Sequence, residues 1–277
     1  MRGGRIEQRF AALAQERRAG LITYVMAGDP DPDTSLEVMH ALAAGGADLI
    51  ELGLPFSDPM ADGPSIQRAA LRALAAGMTL AGVLNLVARF RQSDTATPII
   101  LMGYMNPVLA MGLGPFARAA AAAGADGVIM VDCPPEEADP LADALDAEGL
   151  ALVRLATPTT DAGRLAVVAR RTRGFVYYVA VAGVTGGKSA EADQVAPSVA
   201  RVRAASGLPV AVGFGIRTPA QAASIARVAD AVVVGTALVD AMAGALDSGT
   251  SLAAAARETT AGLATALAAA RRELALG

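Results

Sequence analysis

Short apolar runs alternate with longer Ala-rich stretches of helical spacing from one end of the chain to the other, with no linker or low-complexity break between them. Eight runs read as strands: LITYVM near Leu21, DLIEL near Asp48, PIILM near Pro98, GVIMV near Gly127, ALVRLA near Ala151, FVYYVAV near Phe175, PVAVG near Pro209 and AVVVG near Ala231. Most lack strict polar alternation and are rich in Val, Ile and Leu, the composition of parallel strands covered on both faces. Spaced about 25 to 30 residues apart, they predict an α/β fold in which eight βα units close into a barrel, one domain over residues 1–277. An open doubly wound sheet is the competing arrangement. The count of eight disfavours it, as does the lack of a dinucleotide-type GxGxxG after the first strand.

Two segments, AAGGADLIEL and AAGADGVIMV, repeat one helix-to-strand transition. Gly takes the left-handed conformation that ends a helix, and the chain then enters the next strand. The start, MRGGRIEQRFAALAQERRAG, reads as an extra N-terminal amphipathic helix, because Glu7 and Glu16 interrupt it and no apolar core with a cleavage site follows. The tail, SLAAAARETTAGLATALAAARRELALG, reads as additional helix outside the barrel.

Composition narrows the classes of function. A hydrophobic content of 53% and a mean hydropathy of +0.43 are high. The apolar content is mostly Ala, broken by Arg, Asp, Gly and Pro, and no stretch reaches the roughly 18 apolar residues of a membrane span. A net charge of −4, absence of Trp and only 4% aromatic residues disfavour a nucleic-acid partner. Cys133 is the one cysteine, which excludes an internal disulfide, and without an export signal the expected location is cytoplasmic. The lone histidine, His40, lies in the Ala-rich LEVMHALAAGGAD, where a packed or surface role is expected. A His-dependent triad or a Cys/His metal site is therefore disfavoured.

The chemistry concentrates in LIELGLPFSDPMADGPSIQ, Leu49 to Gln67. An apolar strand carries Glu51 into a Pro- and Gly-punctuated loop bearing Asp58 and Asp62. A carboxylate among apolar neighbours is costly to ionise, so its proton affinity is tuned for work. In a barrel the loops after the strands form the active face. The sixth run, FVYYVAVAGVTGGKSA, places Tyr177 before a Gly-rich segment suited to a lid or to backbone N–H groups approaching an anion. At the ends of the last two runs, Gly213 to Gly215 and Gly235-Thr236 fall where barrels hold phosphate, the second just before a helix start.

Taken in order and spacing, LIELGLPFSDPMADGPSIQ, YYVAVAGVTGG, VGFGI and VVVGTALV closely resemble the α subunit of tryptophan synthase, and the similarity runs from YVMAGDPD at Tyr24 through the final helices. That resemblance implies a TIM barrel that cleaves indole-3-glycerol phosphate by a retro-aldol step into indole and glyceraldehyde 3-phosphate, without metal or organic cofactor in this chain. It implies that Glu51 is the acid/base at the indole carbon and the side-chain hydroxyl, and that Asp62, in a polar loop and able to stay charged, binds the indole N–H. Tyr177 would sit beside Glu51, and Thr185 would be the lid residue positioning Asp62. Tyr24, Met102, Ile129 and Val131 would line the indole slot, and Gly186, Gly213, Phe214, Gly215, Gly235 and Thr236 would hold the phosphate.

The resemblance also implies an αββα heterotetramer in which indole passes to a pyridoxal-phosphate β subunit. Pro55, Phe56, Asp58, Pro59, Asn106 and Pro134 match its contact side. Ala180 and Val181 replace a Ser and an Arg that some relatives carry, so any lid contact of that arginine is missing. Thr236 stands where a Ser is frequent and keeps the hydroxyl. Two other readings compete: another phosphate-binding barrel, such as a sugar-phosphate isomerase or an indole-glycerol phosphate synthase, and a non-catalytic regulatory subunit. The first favours a Lys-centred or differently placed acid constellation, and Lys188 is the one lysine. The second is disfavoured by the intact Glu51 and Asp62.

Overall fold

The computed structural model describes residues 4–180, 192–213 and 215–276, with side chains through residue 270. Nine parallel strands make up one sheet: β1 (Gly20–Met26), β2 (Leu49–Gly53), β3 (Ile99–Gly103), β4 (Gly127–Met130), β5 (Ala151–Leu152), β6 (Arg154–Ala156), β7 (Val176–Val179), β8 (Val210–Gly213) and β9 (Ala231–Val234). Their order is β5-β4-β3-β2-β1-β9-β8-β7-β6. The sequence predicts eight runs, and the fifth is the one that divides. Its first half pairs with β4 and its second half with β7. Register in a barrel is staggered, so the two neighbours of this short run meet it at different heights. One run thus closes the ring from both sides.

Alternation along each strand sorts the core into two layers. Leu21, Val25, Ile50, Leu52, Leu101, Val128, Val212 and Val234 belong to the layer packed against the helices. Ile22, Leu49, Ile100, Ile129, Val153, Phe175, Ala211 and Val233 form a second cluster inside the barrel. Burying one such aliphatic or aromatic side chain contributes about 1.5–3 kcal/mol, so both layers are strongly favourable. The interior is filled with side chains and is not a pore.

The aspartate of the G-A-D echo has a structural meaning at the N-terminal end of the barrel, shared by Asp230 of a V-A-D segment. Asp48, Asp126 and Asp230 each stand just before a strand and accept a hydrogen bond from the backbone N–H of the neighbouring strand: Leu21 (2.7 Å), Ile99 (2.8 Å) and Val210 (2.9 Å). In return each aspartate N–H donates to the carbonyl of that same residue. The repeated carboxylate therefore pins the register of three strand pairs. Arginines complete each cluster: Arg9 and Arg18 on Asp48, Arg5 and Arg91 on Asp126, and Arg203 on Asp230. The helix Arg5–Gln15 turns Ile6, Phe10 and Leu13 inward beneath the barrel, as its amphipathic pattern predicts, and Phe10 meets Phe175 at 5.5 Å.

Helix Leu252–Leu276 packs outside the strands against the helices Pro32–Ala44, Pro219–Ala226 and Thr236–Asp247. His40, on Pro32–Ala44, stacks on Phe90 at 4.8 Å and bonds Ser93, away from the strand ends that carry the acids. Among the described residues no single helix is long and apolar enough to cross a membrane. The helices Pro64–Ala75 and Leu80–Arg91 reach that length only together, and they meet at 93°.

Candidate functional site

Glu51 occupies the middle of β2, in register with Tyr24 of β1 and Ile100 of β3. It shares the inward face with Leu49, so its carboxyl group lies within the barrel wall and is 1% exposed. Its Oε1 has no hydrogen-bond partner among the described residues. Desolvation alone pushes its proton affinity up to about 8, so the neutral acid is the form present at pH 7.

Two tyrosines flank this acid. Tyr24 and Tyr177 are both buried, and burial holds both hydroxyls well above the ordinary phenol value. The Glu51 charge adds to the effect on each, and Asp62 adds to the effect on Tyr24. Their positions depend on two glycines. A β-carbon on Gly53 would collide with the Tyr24 hydroxyl, and one on Gly213 would collide with the Tyr177 hydroxyl. Each glycine sits at a strand end where a tyrosine from the adjacent strand needs the space.

Asp62 comes from the loop between β2 and the helix Pro64–Ala75. Gln67 Nε2 donates to the Asp62 carbonyl (2.8 Å), and the Ala61 N–H donates to the Tyr104 hydroxyl (3.0 Å). The helix behind the loop is tied down by Arg72, which grips the buried Asp29 at 2.6 and 2.7 Å. Sequence reasoning treats Asp62 as a carboxylate of a polar loop. Here it is partly buried, and desolvation raises its proton affinity while the hydrogen bond from Tyr104 opposes that rise. Its charge therefore depends on Tyr104 as well as on solvent.

Tyr104 is the residue that the sequence reading misses. It follows β3 directly, is 3% exposed, and its hydroxyl is pushed up to about 12 by burial and the nearby Asp62. Its ring packs on Phe56 at 5.4 Å, which joins the predicted partner-facing loop to the acid. An aromatic residue at the C-terminal end of a barrel strand is the signal that could have found it.

The remaining expected residues divide by location. Ile129 belongs to the interior cluster that also holds Tyr177, and the partly buried Met102 and Val131 pack against it. Gly213 ends β8, Gly215 has φ +74°, and Gly235 precedes the helix Thr236–Asp247, which carries no side-chain cap. The first N–H groups of that helix thus face the strand ends without a side-chain acceptor. Pro55, Phe56 and Pro59 are half-buried in the acid loop, whereas Asp58, Asn106 and Pro134 are exposed on the loops after β2, β3 and β4. Thr185, Gly186, Phe214 and Val181 lie outside the described residues. Among those described, no cluster of three or more His, Cys, Asp or Glu side chains could hold a metal ion.

An acid held neutral, a second acid within electrostatic reach of the same tyrosine, and an uncapped helix start suit proton transfer to an anionic substrate. Comparison with known proteins agrees. The family model for the tryptophan synthase alpha chain matches residues 10–268. The chain is 72% identical over 236 residues to the tryptophan synthase alpha chain of Caulobacter sp. strain K31, spanning 85% of this chain and 86% of the relative. To that of Phenylobacterium zucineum it is 68% identical over 247 residues, 89% of each. Among solved structures, tryptophan synthase subunit alpha from Legionella pneumophila matches with a TM-score of 0.90 at 41% identity, covering 95% of this chain and 98% of that one. A Mycobacterium tuberculosis tryptophan synthase chain matches at 0.85 and 37%, covering 96% and 99%. The chain belongs to the tryptophan synthase alpha chain family, whose lyase reaction cleaves indole-3-glycerol phosphate to indole and glyceraldehyde 3-phosphate.

Proposed function

We propose that Glu51 is the general acid and base of this cleavage. The single observation that carries the assignment is a fully buried carboxyl group whose Oε1 has no hydrogen-bond partner among the described residues, neutral at physiological pH because its charge would be desolvated. In the forward step Glu51 gives its proton to the indole ring carbon that bears the glycerol chain, and the ring becomes an indolenine. The carboxylate so formed takes the proton of the adjacent side-chain hydroxyl. The carbon–carbon bond then breaks, its electron pair restores the indole, and the hydroxyl carbon leaves as the aldehyde of glyceraldehyde 3-phosphate. Protons and electrons balance with no redox partner. One positioned proton shuttle contributes about 10²- to 10⁴-fold, so other residues must supply the rest.

Asp62 accepts the indole N–H and stabilises the positive charge of the indolenine, with the Tyr104 hydrogen bond opposing the rise in proton affinity that burial causes. Tyr24 and Tyr177 frame Glu51 and limit water around it. Met102, Ile129 and Val131 offer an apolar slot to the ring. Phosphate rests on the strand-end glycines Gly213, Gly215 and Gly235 and on the helix start at Thr236. The whole chain, 1–277, acts as one barrel domain in the cytoplasm and holds no cofactor of its own. It hands indole to a β subunit that carries pyridoxal phosphate, in an αββα assembly whose contact surface includes Pro55, Phe56, Asp58, Pro59, Asn106 and Pro134. The partly exposed Phe56 against Tyr104 supports that surface, because it links a partner contact to the loop of Asp62. The test is Glu51→Gln assayed with indole-3-glycerol phosphate and saturating β subunit. Loss of nearly all indole release with the fold retained is expected, and near-normal turnover would remove Glu51 from the mechanism.

A further inference from the structure

A second buried ionisable side chain with atoms lacking a hydrogen-bond partner among the described residues lies outside the barrel wall. Arg154 opens β6, points away from the interior face held by Leu155, and is only 5% exposed, yet its Nε and Nη2 have no hydrogen-bond partner among the described residues. Both atoms belong to one edge of the guanidinium, the edge that receives two oxygens of a carboxylate in parallel. Arg154 is one of the residues that line a cavity of about 320 Å³ between the loop after β4 and the helix Ala162–Arg171, together with Cys133, Pro134, Leu152 and Arg164 among others. Other charges at the cavity are already engaged: Arg164 pairs with Glu136 at 2.7 Å, and Asp132 accepts from the Met105 N–H at 2.9 Å. Burying a charge with no counter-ion is costly, and the cavity leaves room for one.

We propose that this cavity is a carboxylate-binding site in which the Nε/Nη2 edge of Arg154 takes both oxygens of the ligand and Cys133 lies beside it. The site is separate from the Glu51 chemistry. Two sources share that chemistry: a free small carboxylate, or an aspartate or glutamate side chain of the β subunit reaching over Pro134. Only the second rests on the partner reading given above.

Cys133 is the sole cysteine in the chain, so its alkylation reports on this cavity alone. Burial raises the thiol's proton affinity, and the Arg154 charge is close enough to oppose that rise. The full chain is treated with iodoacetate, which carries a carboxylate, and with neutral iodoacetamide. In either reaction the thiolate sulfur bonds to carbon and iodide leaves. The expected result is saturable iodoacetate kinetics, with a rate relative to iodoacetamide about tenfold or more above that of Arg154→Met, given the strength of a charge-assisted bidentate contact. Succinate should compete with iodoacetate in the parent chain and not in the variant. Arg154→Lys, which keeps a point charge and loses the fork, should fall between them and covers the case in which the methionine variant fails to fold. An iodoacetate-to-iodoacetamide ratio unaffected by either substitution overturns the site.

Repeating the alkylation with purified β subunit identifies the source. Loss of the iodoacetate advantage in the complex, with Arg154→Met weakening association about tenfold, assigns the carboxylate to the partner. Persistence of the advantage with unchanged association assigns it to a free ligand. A β subunit that does not associate at all contradicts the partner reading, while the isolated-chain result still decides the site.

Discussion

Two levels of this barrel treat ionisable side chains in opposite ways. At the N-terminal end, Asp48, Asp126 and Asp230 each hold a backbone N–H of the neighbouring strand and at least one arginine. Further along the strands, Glu51 and Arg154 are buried, yet Glu51 Oε1 and Arg154 Nε and Nη2 have no hydrogen-bond partner among the described residues. A carboxylate supplied with partners fixes register. An unsatisfied one takes up a proton and becomes reactive. The contrast shows that burial alone does not decide what a charged side chain does; the supply of partners does.

The largest effect expected from breaking this contrast is at Glu51. Glu51→Gln keeps shape and burial and removes the proton, so kcat for indole release should fall by about 10³-fold or more while the circular dichroism spectrum is unchanged. Next is the N-terminal end. Asp126→Ala strips the counter-ion from half-buried Arg91 and the acceptor from the Ile99 N–H. Urea denaturation should show a loss of about 3–5 kcal/mol, with kcat of the remaining folded protein retained. If Asp126→Ala instead abolished turnover in folded protein, the division between the two levels would fail.

Gly213→Ala tests the space around the acid. The added carbon meets the Tyr177 hydroxyl, so stability should fall by about 1–3 kcal/mol and kcat/KM should drop with it, checked by denaturation and steady-state kinetics. A smaller effect is expected for Tyr104→Phe. Removing its hydroxyl takes away the acceptor of the Ala61 N–H and the hydrogen bond to Asp62, so Asp62 should titrate higher and kcat/KM should fall by roughly tenfold at neutral pH. Unchanged kinetics would show that Tyr104 supports only the loop.

The barrel is legible in the sequence because each strand is a Val, Ile and Leu run bounded by Gly, Pro or Asp. The division of ALVRLA into β5 and β6 is not, because it depends on which neighbour each residue faces after the ring closes. Glu51 stands out as an acid inside an apolar run. Arg154 gives the same kind of signal within ALVRLA and is as informative, although no familiar motif surrounds it. Asp62 is legible as a loop acid, but its partial burial and its dependence on Tyr104 arise from β3, some forty residues away in the chain. The G-A-D repeat reads as a turn device, and its role in holding Leu21 and Ile99 appears only once the strands are paired.

The Glu51 proton also links the site to stability. Its folded-state affinity, about 8, lies above the ordinary value of 4.5. Its contribution is therefore complete below about pH 4.5 and is lost as pH rises toward about 8, so Glu51→Gln should flatten that part of the pH–stability curve. The most direct measurement is the carboxyl carbon-13 chemical shift of Glu51 in the isolated chain, assigned by its disappearance in Glu51→Gln and followed from pH 4 to pH 10, with the range chosen to bracket both values. A midpoint near 8 is predicted. A midpoint near the ordinary glutamate value would show that the acid is ionised at neutral pH and would contradict its role as proton donor.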